Sequence, residues 1–417
     1  MEELPLRIFV GVDWGNREHQ VCSLVEGKPQ QRRFEHSGKG VGALVSWLME
    51  LCDRQPATVA VAIETPHGVL VEALLDRGFA VFAINPKQLD RFRDRFSVAG
   101  AKDDRRDALV LASSLRTDPQ AFRRLEPEDP LILQLREFTR ANRNLERDHR
   151  RLCNQLRDQL NRFFSQVLEL SNAVDEPWVW SLLERFPSPD KVRHAHQSSV
   201  ERILREHRIS RFTATEVLDI LKALPLPVAD GVVEAATQHI ALLLPRLRLV
   251  DGQRRQCEQH MARLVKKVAE TEDAQPGPKR EHRDVEILLS QPGVGDIVAA
   301  TVLAEAYPPL VQRNYHVLRA CGGIAPVTRQ SGDTRNVSMR YACNHRLRQA
   351  FHWWGNTVCQ RDPKAHALYL EHRRRNHSHA RAVRAVMDRR LNILMACLES
   401  GRLYERDYTP QKGLDKT

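Results

Sequence analysis

The 417-residue chain is 42% hydrophobic and 28% charged, the composition of a globular protein long enough for about two or three domains. No apolar run reaches the length of a membrane span, "MEELPLRIF" has no basic stretch leading into an apolar one, and the eight cysteines include no CxxC pair; no membrane span, secretory leader, zinc ribbon or disulfide framework is expected, and the cytoplasm is the expected location. A net charge of +11 and a pI near 9.5, carried mainly by arginine, point to a polyanionic partner such as nucleic acid.

Residues 1–125 read as an α/β domain. "RIFVGV", "QVCSLV" and "QRRFEH" predict three successive strands, and "VGALVSWLMELCDR" a helix. "TVAVAIE" is an apolar run suited to the inside of a covered sheet, "GVLVEALLDRG" a helix closed by Gly78, and "FAVFAIN" a strand stopped by Pro86. Two helices follow, "PKQLDRFRDRF" and "RRDALVLASSLR".

Carboxylates punctuate these elements. Asp13 ends the first strand in "VGVDWGN", and Glu64 ends "VAVAIE" before Thr65 and Pro66. Asp104 and Asp107 in "AKDDRRDALVLA" share one helix face, and Asp103 is best read as the N-cap. Four acids at strand ends and a helix start can converge at one edge of an α/β sheet, and such oxygen ligands suit Mg2+ or Mn2+. Taken singly, Asp13 also reads as a turn residue, and Asp104 and Asp107 as favourable charges at a helix N-terminus.

Residues 126–282 predict a coiled-coil arm. Leu131, Leu135, Phe138, Asn142, Leu145, His149, Leu152 and Leu156 alternate spacings of four and three, and Leu160, Phe163, Val167 and Leu170 continue them, giving one helix over about 131–170. Leu243, Leu247, Val250, Arg254, Cys257, Met261, Leu264 and Val268 form a second stripe, in a helix over about 232–270. The two suit an antiparallel arm or a pair within an ordinary bundle. The helical insertion between them, about 171–230, has no readable role. "TEDAQPGPKREH" makes a linker.

Residues 283–405 read as a mostly α-helical domain, and 406–417 as a disordered tail. "LLSQPGVGDIVAATVLAEA" has two helical stretches around Gly293 and Gly295 and reads as a helix-hairpin-helix that brings backbone N–H groups to phosphate, or as a purely structural turn. "CGGIAPVTRQSGDTRNVSMR" places Ser331 beside Gly332 among Arg329, Arg335 and Arg340. A serine there can attack phosphorus while arginines stabilise the transition state, although serines are also ordinary turn residues. "HRRRNHSHARAVRAVMDRR", residues 372–390, has seven arginines against one aspartate and reads as a helix with a basic face; Arg373, Arg374 and Arg375 are candidate phosphate contacts, as are Arg105 and Arg106 beside the acids.

Asp13, Glu64, Asp104 and Asp107, in "GVDWGN", "AIETPHG" and "AKDDRRDA", together with "FAINPKQLDRFRD", resemble the DEDD tetrad region of insertion-sequence transposases with a Holliday-junction-resolvase-like (ribonuclease H-like) N-terminal domain. "LLSQPGVGDIVAATVLAE", "CGGIAPVTRQSG" and "RLRQAF" resemble the C-terminal transposase domain of the same family. The resemblance covers roughly 1–120 and 283–400. It implies a metal-holding tetrad, a nucleophilic serine at Ser331, donor and target DNA as substrates, guidance by a structured bridge RNA, and a dimer or tetramer whose site combines the tetrad of one protomer with the serine of another. Ser338, not followed by Gly, is the lesser candidate. Two other readings stay open: a metal-dependent junction endonuclease in which Ser331 is structural, and a catalytically silent nucleic-acid-binding protein.

Overall fold

The computed structural model describes residues 6–96, 103–127, 129–229, 231–272, 283–331 and 334–405, and the chain divides between Asp129 and Pro130 into two compact units. The tail expected at 406–417, most of the linker, and Gly332 lie outside the described residues.

The first unit is built on one sheet. β1 (Ile8–Asp13), β2 (Glu18–Val25) and β3 (Lys28–Glu35) form an antiparallel meander. α1 (Gly38–Leu51) follows, N-capped by Ser37, whose hydroxyl accepts from the Gly40 N–H. β4 (Val59–Ile63), α2 (Val69–Asp76), β5 (Ala80–Ala83), α3 (Pro86–Phe96), α4 (Asp104–Thr117) and the two-residue β6 (Arg123–Arg124) complete the unit. The strand order is β3-β2-β1-β4-β5-β6; β4 runs parallel to β1 and β5 parallel to β4, while β6 is antiparallel to β5. β6 is too short to show in the sequence pattern.

Alternation sorts the strand residues onto two faces. Val10, Val12, Val59, Val61 and Ile63 pack with Leu44, Trp47 and Leu48 of α1 and Leu70 and Leu74 of α2. The opposite face presents Ala60 and Ala62 to Leu89 of α3 and Val110, Leu111 and Leu115 of α4, with Phe9 at its margin. Large residues thus meet one pair of helices, and small ones let the other pair come close.

Among its described residues the second unit is helical apart from one ribbon. α5 (Pro130–Phe163) and, much later, α11 (Val232–Glu272) are long helices packed side by side. Phe138 stacks on His260, while His149 faces the Arg254 and Asp251 charges, so the helices run antiparallel. The first helix does not reach 170. It ends at Phe163, and Gln166–Leu170 forms a separate helix, α6. Phe163 and Phe164 are adjacent and both almost fully buried, and neighbouring positions on one straight helix point about 100° apart; the chain turns so that both rings enter the core.

Four short helices fill the excursion: α7 (Pro177–Arg185), α8 (Pro189–Arg193), α9 (Gln197–Glu206) and α10 (Ala214–Lys222). They close around Trp178 and Trp180 and join the α6 end of the helix pair in one core. At the other end, Ile132, Leu135, Met261 and Val265 join a second core with the C-terminal helices.

Those helices are α12 (Asp284–Ser290), α13 (Asp296–Val311) and α14 (Tyr315–Cys321). An exposed two-stranded ribbon of β7 (Val327–Ser331) and β8 (Thr334–Ser338) follows, then α15 (His345–Arg361), α16 (Pro363–Arg374) and α17 (His379–Ser400). The basic segment 372–390 is therefore not one helix. Asn376 takes a φ of +59°, and Ser378 restarts the chain as the N-cap of α17. Among the described residues no helix is long and apolar enough to cross a membrane.

Candidate functional site

The strand register brings two of the four acids to one place. Gly11 pairs with Ala62 and Val12 with Ile63 across the parallel β1–β4 ladder, so Asp13 and Glu64 stand at neighbouring C-terminal strand ends. By the period of two, Asp13 follows Phe9 and Gly11, and Glu64 follows Ala60 and Ala62, on the face that α4 covers. α4 approaches so closely at Gly11 that a Cβ there would lie 2.0 Å from the Ala108 carbonyl oxygen and 2.6 Å from the Ala112 nitrogen. The first turn of α4 carries Asp104 and Asp107, and the Asp103 side chain caps it by accepting from the Arg105 N–H at 3.2 Å.

The acids differ in environment. Asp104 is exposed and Asp107 is 2% exposed. Arg93 of α3 grips Asp107 with a fork, Nε to Oδ1 at 2.8 Å and Nη2 to Oδ2 at 2.9 Å. Its Nη1 donates to Asp90 at 2.5 Å, and Nη2 lies 3.9 Å from Glu64 Oε2. Burial works to lower the Arg93 pKa, but the hydrogen bonds and charges of Asp107 and Asp90 outweigh it and raise it. Among the described residues no three His, Cys, Asp or Glu side chains converge closely enough to hold a metal ion. The donor set is nonetheless all hard oxygen, and a cationic guanidinium already contacts two of its members. These residues therefore fit a divalent cation by chemistry, with Arg93 in their midst.

The turn after Asp13 is pinned from behind. The Gly15 N–H donates to His19 Nδ1 at 3.4 Å, and His19 Nε2 lies 3.0 Å from His36 Nδ1. Burial, then the His36 charge, holds the His19 pKa below its ordinary value. Arg105 is exposed beside these acids, and Arg106 is half-buried.

Ser331 is the last residue of β7, exposed at the end of the strand. It pairs with Thr334, and Arg329 pairs with Asn336, so Arg329 shares a face with Ser331 while Arg335 points to the other face. Arg340 is half-buried, and its Nε donates to the Ala325 carbonyl at 3.3 Å. Arginines adjacent in sequence are thus divided among three environments.

Gly293 and Gly295 sit in the turn between α12 and α13. Gly293 has a φ of +84°, and a Cβ there would meet Thr357 and the Val358 nitrogen at 3.3 Å. Trp354 Nε1 donates to the Pro292 carbonyl at 2.9 Å, so this turn is docked on α15. Gly295 is exposed, with open space where a Cβ would be.

Arg373, Arg374 and Arg375 end α16, all exposed; Arg373 donates to the His377 carbonyl and Arg375 pairs with Glu371 at 2.5 Å. Arg390, at the far end of the same basic segment, is buried against Asp362 and belongs to the core. Sequence reasoning missed Arg93. Nothing in "RFRDRF" sets it apart from its neighbours, and only the packing of α3 on α4 reveals its partner.

Residues 10–165 match the transposase family model named for the DEDD domain of IS110, and residues 285–370 match that of the transposase IS116/IS110/IS902 family. A Streptomyces coelicolor mini-circle protein, named as a transposase for IS117, is 32% identical over 97% of this chain and 97% of its own length. A Sinorhizobium fredii protein named as transposase y4uE is 46% identical over 49% of this chain, and that match spans 58% of its length. The 43.6 kDa protein of insertion element IS110, also from Streptomyces coelicolor, is 25% identical over 95% of each chain. The two matched segments cover the acids of the sheet unit and the ribbon serine; with the full-length similarity to the IS117 protein, the chain belongs to the IS116/IS110/IS902 family of insertion-sequence transposases.

Proposed function

We propose that this transposase cleaves and exchanges DNA strands through a phosphoserine linkage formed by Ser331, with divalent metal held by Asp13, Glu64, Asp104 and Asp107, under the guidance of a structured RNA. The observation that carries the reading is the β1–β4 register, with Asp13 and Glu64 on adjoining strand ends beneath the helix that bears Asp104 and Asp107. The strand order, an antiparallel meander continued by two parallel strands, supports a ribonuclease H-like fold for the first unit. The antiparallel pairing of α5 and α11 supports the coiled-coil reading, and the α12–α13 turn the helix-hairpin-helix reading.

In this mechanism Ser331 Oγ displaces a deoxyribose hydroxyl from phosphorus, and the phosphoserine bond retains the energy of the broken phosphodiester. The released hydroxyl of a partner strand then reverses the displacement, so strands rejoin without a nucleotide cofactor. Arg329, on the face of the ribbon that carries Ser331, orients the phosphate and offsets the charge that builds on its oxygens. A divalent cation, Mg2+ or Mn2+, supplies activation and stabilisation of phosphodiester oxygens when bound. The exposed Arg105, Arg373, Arg374 and Arg375, and Arg106, are assigned to nucleic-acid backbone, and the exposed Gly295 to phosphate. The resemblance implies that the two halves of the chemistry come from different protomers, so self-association belongs to the reading.

The test is a denaturing gel with labelled nicked DNA, co-purified RNA and Mg2+. Wild type and Ser338→Ala give a covalent protein–DNA adduct, and Ser331→Ala gives none. Cleavage by the wild type with no adduct at any time favours water as the attacking group.

A further inference from the structure

The proposed chemistry leaves Arg93 without a role. It is one guanidinium shared among carboxylates from three elements: Asp107 of α4 through the fork, Glu64 after β4 at 3.9 Å, and Asp90 of its own helix at 2.5 Å. Asp107 is almost fully buried, and an ionised carboxylate there is costly without an opposite charge beside it. Arg93 supplies that charge here.

We infer that Arg93 is a positioning residue that stands in for a divalent cation, holding Asp107 and Glu64 neutralised in the unloaded protein and giving way when the cation binds. The inference rests on the proposed metal-holding tetrad. Two cations cannot share the same carboxylates at close range without strong mutual repulsion in a partly desolvated site. A bound cation must therefore displace the fork or be held off by it.

Asp90 gives the displaced arginine somewhere to go. It lies three residues back on α3, already accepts from Nη1, and its side chain is 65% exposed while that of Asp107 is 3% exposed. The pair is a two-position arrangement, with one carboxylate inside the acid cluster and one at its edge. The guanidinium occupies the space between the two inner acids, its Nη2 2.9 Å from Asp107 Oδ2 and 3.9 Å from Glu64 Oε2.

The experiment is Mn2+ titration of the full-length protein followed by the loss of the free-ion electron paramagnetic resonance signal. Arg93→Gln, which removes the competing charge, is expected to bind Mn2+ about tenfold more tightly than wild type. Arg93→Lys, which keeps the charge but not the fork, should fall between them. Asp90→Asn, which removes the alternative partner, should weaken Mn2+ binding several-fold and checks the inference should Arg93→Gln fail to fold. Equal or weaker binding by a natively folded Arg93→Gln, or unaltered binding by Asp90→Asn, overturns the inference and leaves Arg93 as a fixed prop for Asp107. If Asp13→Asn and Glu64→Gln bind Mn2+ as wild type does, the tetrad reading itself falls.

Discussion

Asp107 lies 2% exposed in the fork of Arg93, on a helix pressed against the glycine of a central strand; Ser331 lies exposed at the end of β7, in a ribbon of whose ten described strand residues nine are exposed. Asp107 is placed by core packing, and Asp13 and Glu64 by the ends of central strands. The serine is placed by a hairpin with no buried face. Changes near the acids should therefore disturb chemistry and stability together, whereas changes near the serine should touch chemistry alone.

The largest expected effect tests the chemical half of that contrast. Asp13→Ala and Glu64→Ala should each cripple metal-dependent strand cleavage, by about a hundred- to a thousandfold for the lost electrostatic stabilisation that the held cation would supply. Cleavage at wild-type level by both would remove the acids from the mechanism. Ser331→Ala should lose the covalent adduct just as fully, while its thermal midpoint stays at the wild-type value, because exposed substitutions usually stay within about 0.5 kcal/mol.

Stability separates the regions next. Gly11→Ala forces a methyl onto backbone atoms of α4, and overpacking of this kind costs about 3 kcal/mol. Gly295→Ala, with open space around it, should cost less than about 1 kcal/mol. Denaturant unfolding of the two variants decides the point; equal midpoints would mean that the β1–α4 contact is not the one described. Within the tetrad, Asp107→Asn should lower stability by about 1–3 kcal/mol through the weakened Arg93 pair, and exposed Asp104→Asn should not.

Smaller effects concern the basic surface and pH. Replacing Arg373, Arg374 and Arg375 with Ala should flatten the salt dependence of DNA and RNA binding, by up to about one unit of slope for each of the three that neutralises a phosphate. An unmoved slope assigns them to solvent. Burial, then the charges of Arg254 and Arg248 respectively, lowers the pKa of His149 and His207 from the ordinary 6.5. The unfolded chain then binds more protons than the folded one as pH falls through 6.5, so this stability is present above that pH and is lost on acidification toward the lower folded values. The unfolding midpoint should fall between pH 7.5 and 5, and less steeply in His207→Gln.

The sequence revealed what depends on period and position. Asp13 and Glu64 were legible because a carboxylate ends an apolar strand, and Asp103 as an N-cap because its neighbours start a helix. The long helices were legible from four–three spacing, but not the break after Phe163, because an apolar stripe continues across a turn when both sides feed one core. The ribbon of β7 and β8 was hidden because strands without a buried face carry no alternation. Arg93 was hidden for a deeper reason: its partner Asp107 is fourteen residues away on another helix, and charge alone does not say which arginine faces inward.

A two-stranded ribbon consists of two edges and no interior strand. β7 and β8 satisfy each other along one side, and each leaves its outer row of N–H and C=O groups to solvent or a ligand. A hairpin of this length is marginal on its own, so a polynucleotide lying beside it would offset much of the entropy lost in fixing Ser331. Under the proposed phosphoserine chemistry, the readiness of Ser331 would then be a function of occupancy: the hydroxyl would be best placed where a polynucleotide already lies, and stray phosphodiesters in passing contact would meet a less ordered serine.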